Sequence, residues 1–132
     1  KEKKTYPQLL LEALKEYSFY LDRFPSMVVG DFNCYVGQSG VRKSTGTFED
    51  CIDEMKAHGL RSLYHEQTNE KFGEEKTPTF FWQFNHENPF FLDYAFCTMK
   101  PISFKIGDWE REISDHRPLI IELEEEPWDD RP

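Results

Sequence analysis

Thr79-Phe80-Phe81-Trp82-Gln83-Phe84-Asn85-His86-Glu87-Asn88-Pro89-Phe90-Phe91-Leu92-Asp93-Tyr94-Ala95-Phe96-Cys97-Thr98 is the stretch whose reading decides the fold. Two runs rich in aromatic residues, 79–84 and 90–98, flank Asn-His-Glu-Asn-Pro, which supplies turn chemistry, so the segment reads as a β-hairpin. Upstream, Leu10, Leu14, Tyr17 and Leu21 fall on one stripe, with Glu12, Lys15, Glu16 and Asp22 mostly elsewhere. That spacing predicts a helix from about Pro7 to Phe24, stopped by Pro25. Met27-Val28-Val29 is a short apolar run with the pattern of a strand buried on both faces. A Gly-, Ser- and Thr-rich loop follows from Gly37 to Gly46. Thr47-Phe48-Glu49-Asp50 has the form of a capping box, opening a helix that runs to about His58, with Gly59 as a left-handed stop. Leu60 to Tyr64 reads as a further strand and Glu66 to Lys76 as an exposed, charged loop. Ile102 to Ile106 and Leu119 to Leu123 complete the strands. The acidic stretch 124–132 holds two prolines and reads as a solvated tail. Helix, strand, helix and then mostly strands predicts an α/β layered sheet. No Gly-x-Gly-x-x-Gly follows a strand, so a dinucleotide-binding unit is not expected.

Composition bounds the possibilities. The chain has 132 residues, the size of one domain, here spanning 1–132. Apolar residues make up 38%, with twelve Phe, six Tyr and three Trp, enough for a packed core. No apolar run approaches the ~20 residues of a membrane span. Lys1-Glu2-Lys3-Lys4 has no initiating Met and no apolar leader core behind it, so the chain reads as part of a longer product. A net charge of −9 argues against broad electrostatic binding of nucleic acid, which needs Lys and Arg against phosphates. One basic patch or a bound cation would still allow nuclease chemistry. Cys34, Cys51 and Cys97 are odd in number and lack Cys-x-x-Cys spacing, which favours reduced thiols over a disulfide scaffold or a zinc site. Localisation is unknown on this reading, with a cytoplasmic setting slightly favoured.

Three placements of polar groups beside apolar runs stand out. Asp31 and Asn33 follow Val28-Val29, and residues two apart in extended chain share a face, so both can look into one pocket. The plain alternative is a turn, since Gly-Asp and Asn are turn residues. Asp93 sits inside Phe90–Phe96, where an unpartnered carboxylate would cost several kcal/mol. It needs a cation, a His or a ring of donors, unless it lies on an edge strand facing water. Asp115-His116 precedes Pro118 and the final strand, and a metal-binding Asp beside a His is a common catalytic pairing. Taken singly it could equally be a capped loop. His58, His65 and His86 share no ligand spacing and are expected at the surface. Phe80, Phe81 and Trp82 are expected in the core rather than as a base-stacking platform. Arg42 and Lys43 lie in a loop where two cations are ordinary, and Glu124-Glu125-Glu126 reads as a solvated run.

Gly30-Asp31-Phe32-Asn33, Thr79-Phe80, Leu92-Asp93-Tyr94 and Ser114-Asp115-His116 together resemble the endonuclease/exonuclease/phosphatase superfamily. That group contains deoxyribonuclease I, the apurinic-site endonucleases, sphingomyelinases and inositol polyphosphate 5-phosphatases. The motifs match in order and spacing, and the resemblance covers most of the chain. It implies Mg²⁺-dependent hydrolysis of phosphate esters, most of all phosphodiesters, with Mn²⁺ as a possible substitute and nucleic acid as a possible substrate. Asp31 would position and deprotonate the attacking water, and Asn33 would hold a phosphate oxygen. Asp115 would help bind the metal, His116 would stabilise charge on the phosphate, and Asp93 would fix the tautomer of His116 and favour its protonated ring. Thr79 would play a supporting role beside them.

The resemblance also implies an architecture. Superfamily members are about twice this length and pack two sheets face to face in a four-layer α/β/β/α sandwich. This chain matches the C-terminal half alone: a mostly antiparallel or mixed sheet with helices on one face and an apolar face left exposed. The N-terminal half, with its Asn and its principal metal-ligating Glu, would be a partner. Weak metal binding and low activity are therefore expected of residues 1–132 alone. The alternative is a non-catalytic half-domain that acts as a scaffold for a partner.

Overall fold

The computed structural model of the protein describes residues 3–38 and 46–125. The described chain is a mixed α/β fold of four helices and small antiparallel sheets. Arg42, Lys43 and all of the tail beyond Glu125 lie outside the described residues, while Glu124 and Glu125 are exposed.

Helix α1 (Tyr6–Glu16) begins at a reciprocal cap: Gln8 N donates to Thr5 Oγ1 and Thr5 N to Gln8 Oε1, both at 3.3 Å. The helix expected over 7–24 is broken at Tyr17, and α2 (Ser18–Arg23) follows. Leu14 and Leu21 are buried as their stripe requires, but Tyr17 is turned outward. Helix α3 (Phe48–Ala57) opens on the Thr47–Asp50 capping box. Gly59 follows it at φ +76°, the left-handed geometry that glycine adopts without strain.

Strand β1 (Met27–Asp31) pairs antiparallel with β5 (Asp93–Cys97), and β2 (Arg61–Ser62) pairs with the other edge of β5. β5 is buried at all five positions. The hairpin read from 79–98 is present, with β3 (Phe80–Phe81) against β4 (Pro89–Phe90). Its strands are shorter than expected. Gln83 and Phe84 have φ of 53° and 58°, which ends β3, and Phe91-Leu92 separates β4 from β5. β6 (Ser103–Ile106) and β7 (Leu119–Glu122) form the third antiparallel pair, close to their expected bounds.

Two expectations fail between residues 60 and 76. The strand read over 60–64 stops at Ser62, whose hydroxyl bonds the ring of His65 and caps α4 (Leu63–Thr68). The loop expected over 66–76 is not wholly exposed. Phe72 stacks on His65 at 3.7 Å and packs, partly buried, against the core, and the Glu75 carboxylate lies 2.6 Å from His65 Nε2. The hydrophobic core is strongly aromatic: Tyr94 and Phe96 lie against Phe32, Phe48 and Phe72. All three cysteines are buried and free. Burial pushes the thiols of Cys34 and Cys51 up to about 12. No helix among the described residues is long and apolar enough to cross a membrane.

Candidate active site

The β1–β5 register places Asp31 directly opposite Asp93, at the ends of two strands. Like charges opposite each other on a ladder repel, so this pair needs a neighbour that offsets it. His116 is that neighbour. Its Nδ1 lies 2.8 Å from Asp93 Oδ2 and its Nε2 lies 3.5 Å from Asp31 Oδ2. The three ligating atoms of Asp31, Asp93 and His116 fall within 4.8 Å of one another. Asp115 Oδ1 stands 3.9 Å from Nε2, at the rim of this cluster.

Local hydrogen bonding explains how the segment 114–117 reaches the sheet. Phe81 N donates to Asp115 O at 2.9 Å and Arg117 N donates to Thr79 O at 2.7 Å, on either side of a bridge between Phe80 and His116. His116 N donates to Ser114 Oγ at 3.0 Å, and the ring of Phe80 lies 4.7 Å from the imidazole. The loop is thus added to β3 as a short strand, which fixes the ring. Thr79 does the same for Asp93. It is fully buried, and its Oγ1 accepts from Leu92 N at 2.9 Å and Asp93 N at 3.1 Å.

The two carboxylates differ in environment. Asp93 has a side chain only 11% exposed, and burial raises its pKa above the ordinary carboxylate range. Hydrogen bonds from His116 and Thr79 oppose that rise without cancelling it, and the charge of Asp31 adds to it. Asp31 is 44% exposed and open to water. Its Oδ1 accepts from Asn33 N at 2.8 Å, which leaves Oδ2 toward His116. With Nδ1 bonded to Asp93, the free Nε2 faces the open side between Asp31 and Asp115.

The structure therefore brings Asp31, Asp93, His116, Asp115 and Thr79 together from four separate segments. Asn33 differs from its expected placement. β1 ends at Asp31, and Asn33 is exposed in a left-handed turn with φ 51°, so the extended-chain geometry does not carry its side chain to the same face. His86 is exposed as expected. His65 is not: it is buried between Ser62, Glu75 and Phe72. His58 is bonded to Asp22 and Glu54. Phe80 and Phe81 are core residues, whereas Trp82 is half exposed. Sequence reasoning missed Ser114 and Phe80 as supports of His116; the Ser-x-His spacing, which suits a local side-chain turn, is the signal for the first.

An open groove of about 360 Å³ adjoins the cluster, lined by Ser114, His116, Arg117 and Pro118 together with Asp108 and Ile113. A larger groove beside Pro7, Tyr35 and Thr47 contains none of the site residues. The donors around His116 suit a hard cation only in part. Mg²⁺ takes oxygen ligands, commonly one or two carboxylates with water and substrate phosphate completing the shell. Asp115 and Asp31 offer such oxygens, whereas Asp93 already bonds to His116. The chain matches no known protein family, no characterised protein and no solved structure.

Proposed function

We propose that this chain is the C-terminal half of a Mg²⁺-dependent phosphoesterase domain that hydrolyses phosphodiesters. The observation that carries the reading is the Asp93–His116–Asp31 arrangement, in which one ring nitrogen is held by a buried carboxylate and the other is open. Asp93 holds the imidazole so that Nε2 points out of the sheet. There His116 donates to a phosphate oxygen and stabilises charge that builds in the transition state. Asp31, open to water and beside Nε2, orients the attacking water and takes its proton. Asp115 would contribute a carboxylate to the metal, whereas Asn33, turned away from the face of Asp31, is left without a part in this mechanism. A bound Mg²⁺ supplies charge neutralisation at the phosphate and steadies the leaving oxygen.

On this reading the fold is half of a four-layer sandwich, and a second half supplies the principal metal ligand. Exposed apolar residues favour such a complement: Val29 on β1, and Tyr17, Phe19, Tyr20 and Phe24 along α2, are all close to half exposed or more. The same residues favour the alternative, a half-domain that serves as a scaffold. His116→Ala in the complete protein separates the two. As an enzyme it loses roughly 10²–10⁴ in phosphodiester hydrolysis; an unchanged rate would remove the catalytic reading.

A further inference from the structure

Trp82 follows β3 directly and is 52% exposed, although the two phenylalanines before it are buried. Phe81 stacks on Trp109 at 4.0 Å. Phe80 lies 4.7 Å from the His116 ring and meets Trp82 edge to face at 6.4 Å. The indole is thus one ring removed from the imidazole. Its backbone is held on both sides: Trp82 N donates to Asn88 O at 3.1 Å, and Asn85 N donates to Trp82 O at 3.0 Å. Arg111 Nε donates to Phe84 O at 3.2 Å, tying the hairpin tip to the segment that leads into Ser114. The tip turns through left-handed Gln83 and Phe84, conformations that residues with a side chain rarely adopt. A large ring on a restrained backbone, half open to water beside a candidate phosphate site, is arranged for contact with another planar group.

Charge narrows what that group is. At −9 the chain has little electrostatic hold on a polyanion, so phosphate contacts alone would bind weakly. Stacking of a base on an aromatic ring supplies affinity without cations and tolerates any base. A base inside a duplex is covered on both faces and has to be unstacked first. We propose that Trp82 stacks on an unpaired nucleobase next to the phosphate engaged by His116, so that the substrate is single-stranded nucleic acid or a free oligonucleotide rather than the interior of a duplex. This rests on the phosphoesterase reading of the site.

Fluorescence anisotropy with two labelled probes of equal charge tests it: hexathymidylate and a base-free hexamer of deoxyribose phosphate. The wild-type chain is expected to prefer hexathymidylate by roughly 5- to 100-fold, the span that single stacking contacts give. Trp82→Phe keeps most of that preference and Trp82→Ala loses it. Equal binding of the two probes by the wild type overturns the proposal. So does a preference that survives Trp82→Ala, or no measurable binding of either probe. Loss of binding to phosphatidylcholine vesicles in Trp82→Ala, with the hexamer preference unchanged, would assign the ring to lipid instead. The underlying reading fails separately: His116→Ala would then hydrolyse as the wild type does, whatever Trp82 does to the base preference.

Discussion

Asp93 is the residue on which stability and chemistry pull in opposite directions. Burial disfavours its ionised form, so the folded pKa lies above the unfolded 3.8. The native state then holds more protons than the unfolded state between those two values. Stability from this group is fully present below 3.8 and is lost as the pH rises through the folded value. Asp93→Asn removes the buried charge and keeps an acceptor for His116 Nδ1. The variant is expected to gain stability over the wild type at pH 7 and to lose that advantage below pH 3.8, as followed by urea midpoints. On the proposed phosphoesterase reading, hydrolysis should fall on the order of 10³-fold, because an amide cannot stabilise positive charge on the ring as a carboxylate does. A variant less stable than wild type at pH 7 would show that the His116 contact outweighs burial. Of the site, the need of Asp93 for a partner was legible, since a carboxylate inside an aromatic run must find one. The turn that carries Asn33 away was legible only as the alternative to an extended chain, because the end of β1 depends on its pairing with β5.

At the scale of elements, helices α2 and α3 are joined by a titrating contact. His58 at the end of α3 bonds to Asp22 on α2 and to Glu54 one turn back. The bond to Asp22 is the chief reason its pKa is raised above 6.5; burial works against it, and Glu54 adds to the rise. Stability from this tether is therefore full below pH 6.5 and is lost as the pH rises through the folded value. Asp22 is half exposed, so the contribution is of the screened kind, up to about 1 kcal/mol. His58→Gln should flatten the fall in stability between pH 6 and 8, and an NMR titration of His58 should centre above 6.5. A midpoint below 6.5 would contradict the contact. The start of α3 was readable because its capping box lies within four residues. The short helix α4 falls across the expected strand at 60–64 and the expected loop at 66–76, because Ser62 is both the last residue of β2 and the cap of the helix.

For the whole molecule, the proposed reading makes residues 1–132 an incomplete catalyst. Near His116, Asp115 and Asp31 each offer a carboxylate oxygen to a cation, a pair that by itself holds Mg²⁺ loosely. Calorimetric titration is expected to show weak Mg²⁺ binding, and turnover of a phosphodiester should fall far below the ~1–10³ s⁻¹ of ordinary enzymes. Turnover within that range would contradict the half-domain reading. The sequence by itself determined the hairpin, the opening of α3 and its glycine stop, the strands at 103–106 and 119–122, and the residues worth testing. Each depends on dihedral preferences, alternation or capping within a few neighbours. Only the tertiary structure decided that His65 is buried with Phe72 packed on it while Trp82 is exposed, and that Asp115 lies at the rim of the cluster rather than within it. Burial is set by what packs against a side chain: His65 is buried by Phe72 and Glu75, whereas Trp82 stands in a run, 82–89, that is exposed throughout. Those partners lie outside the window in which a local pattern can be read.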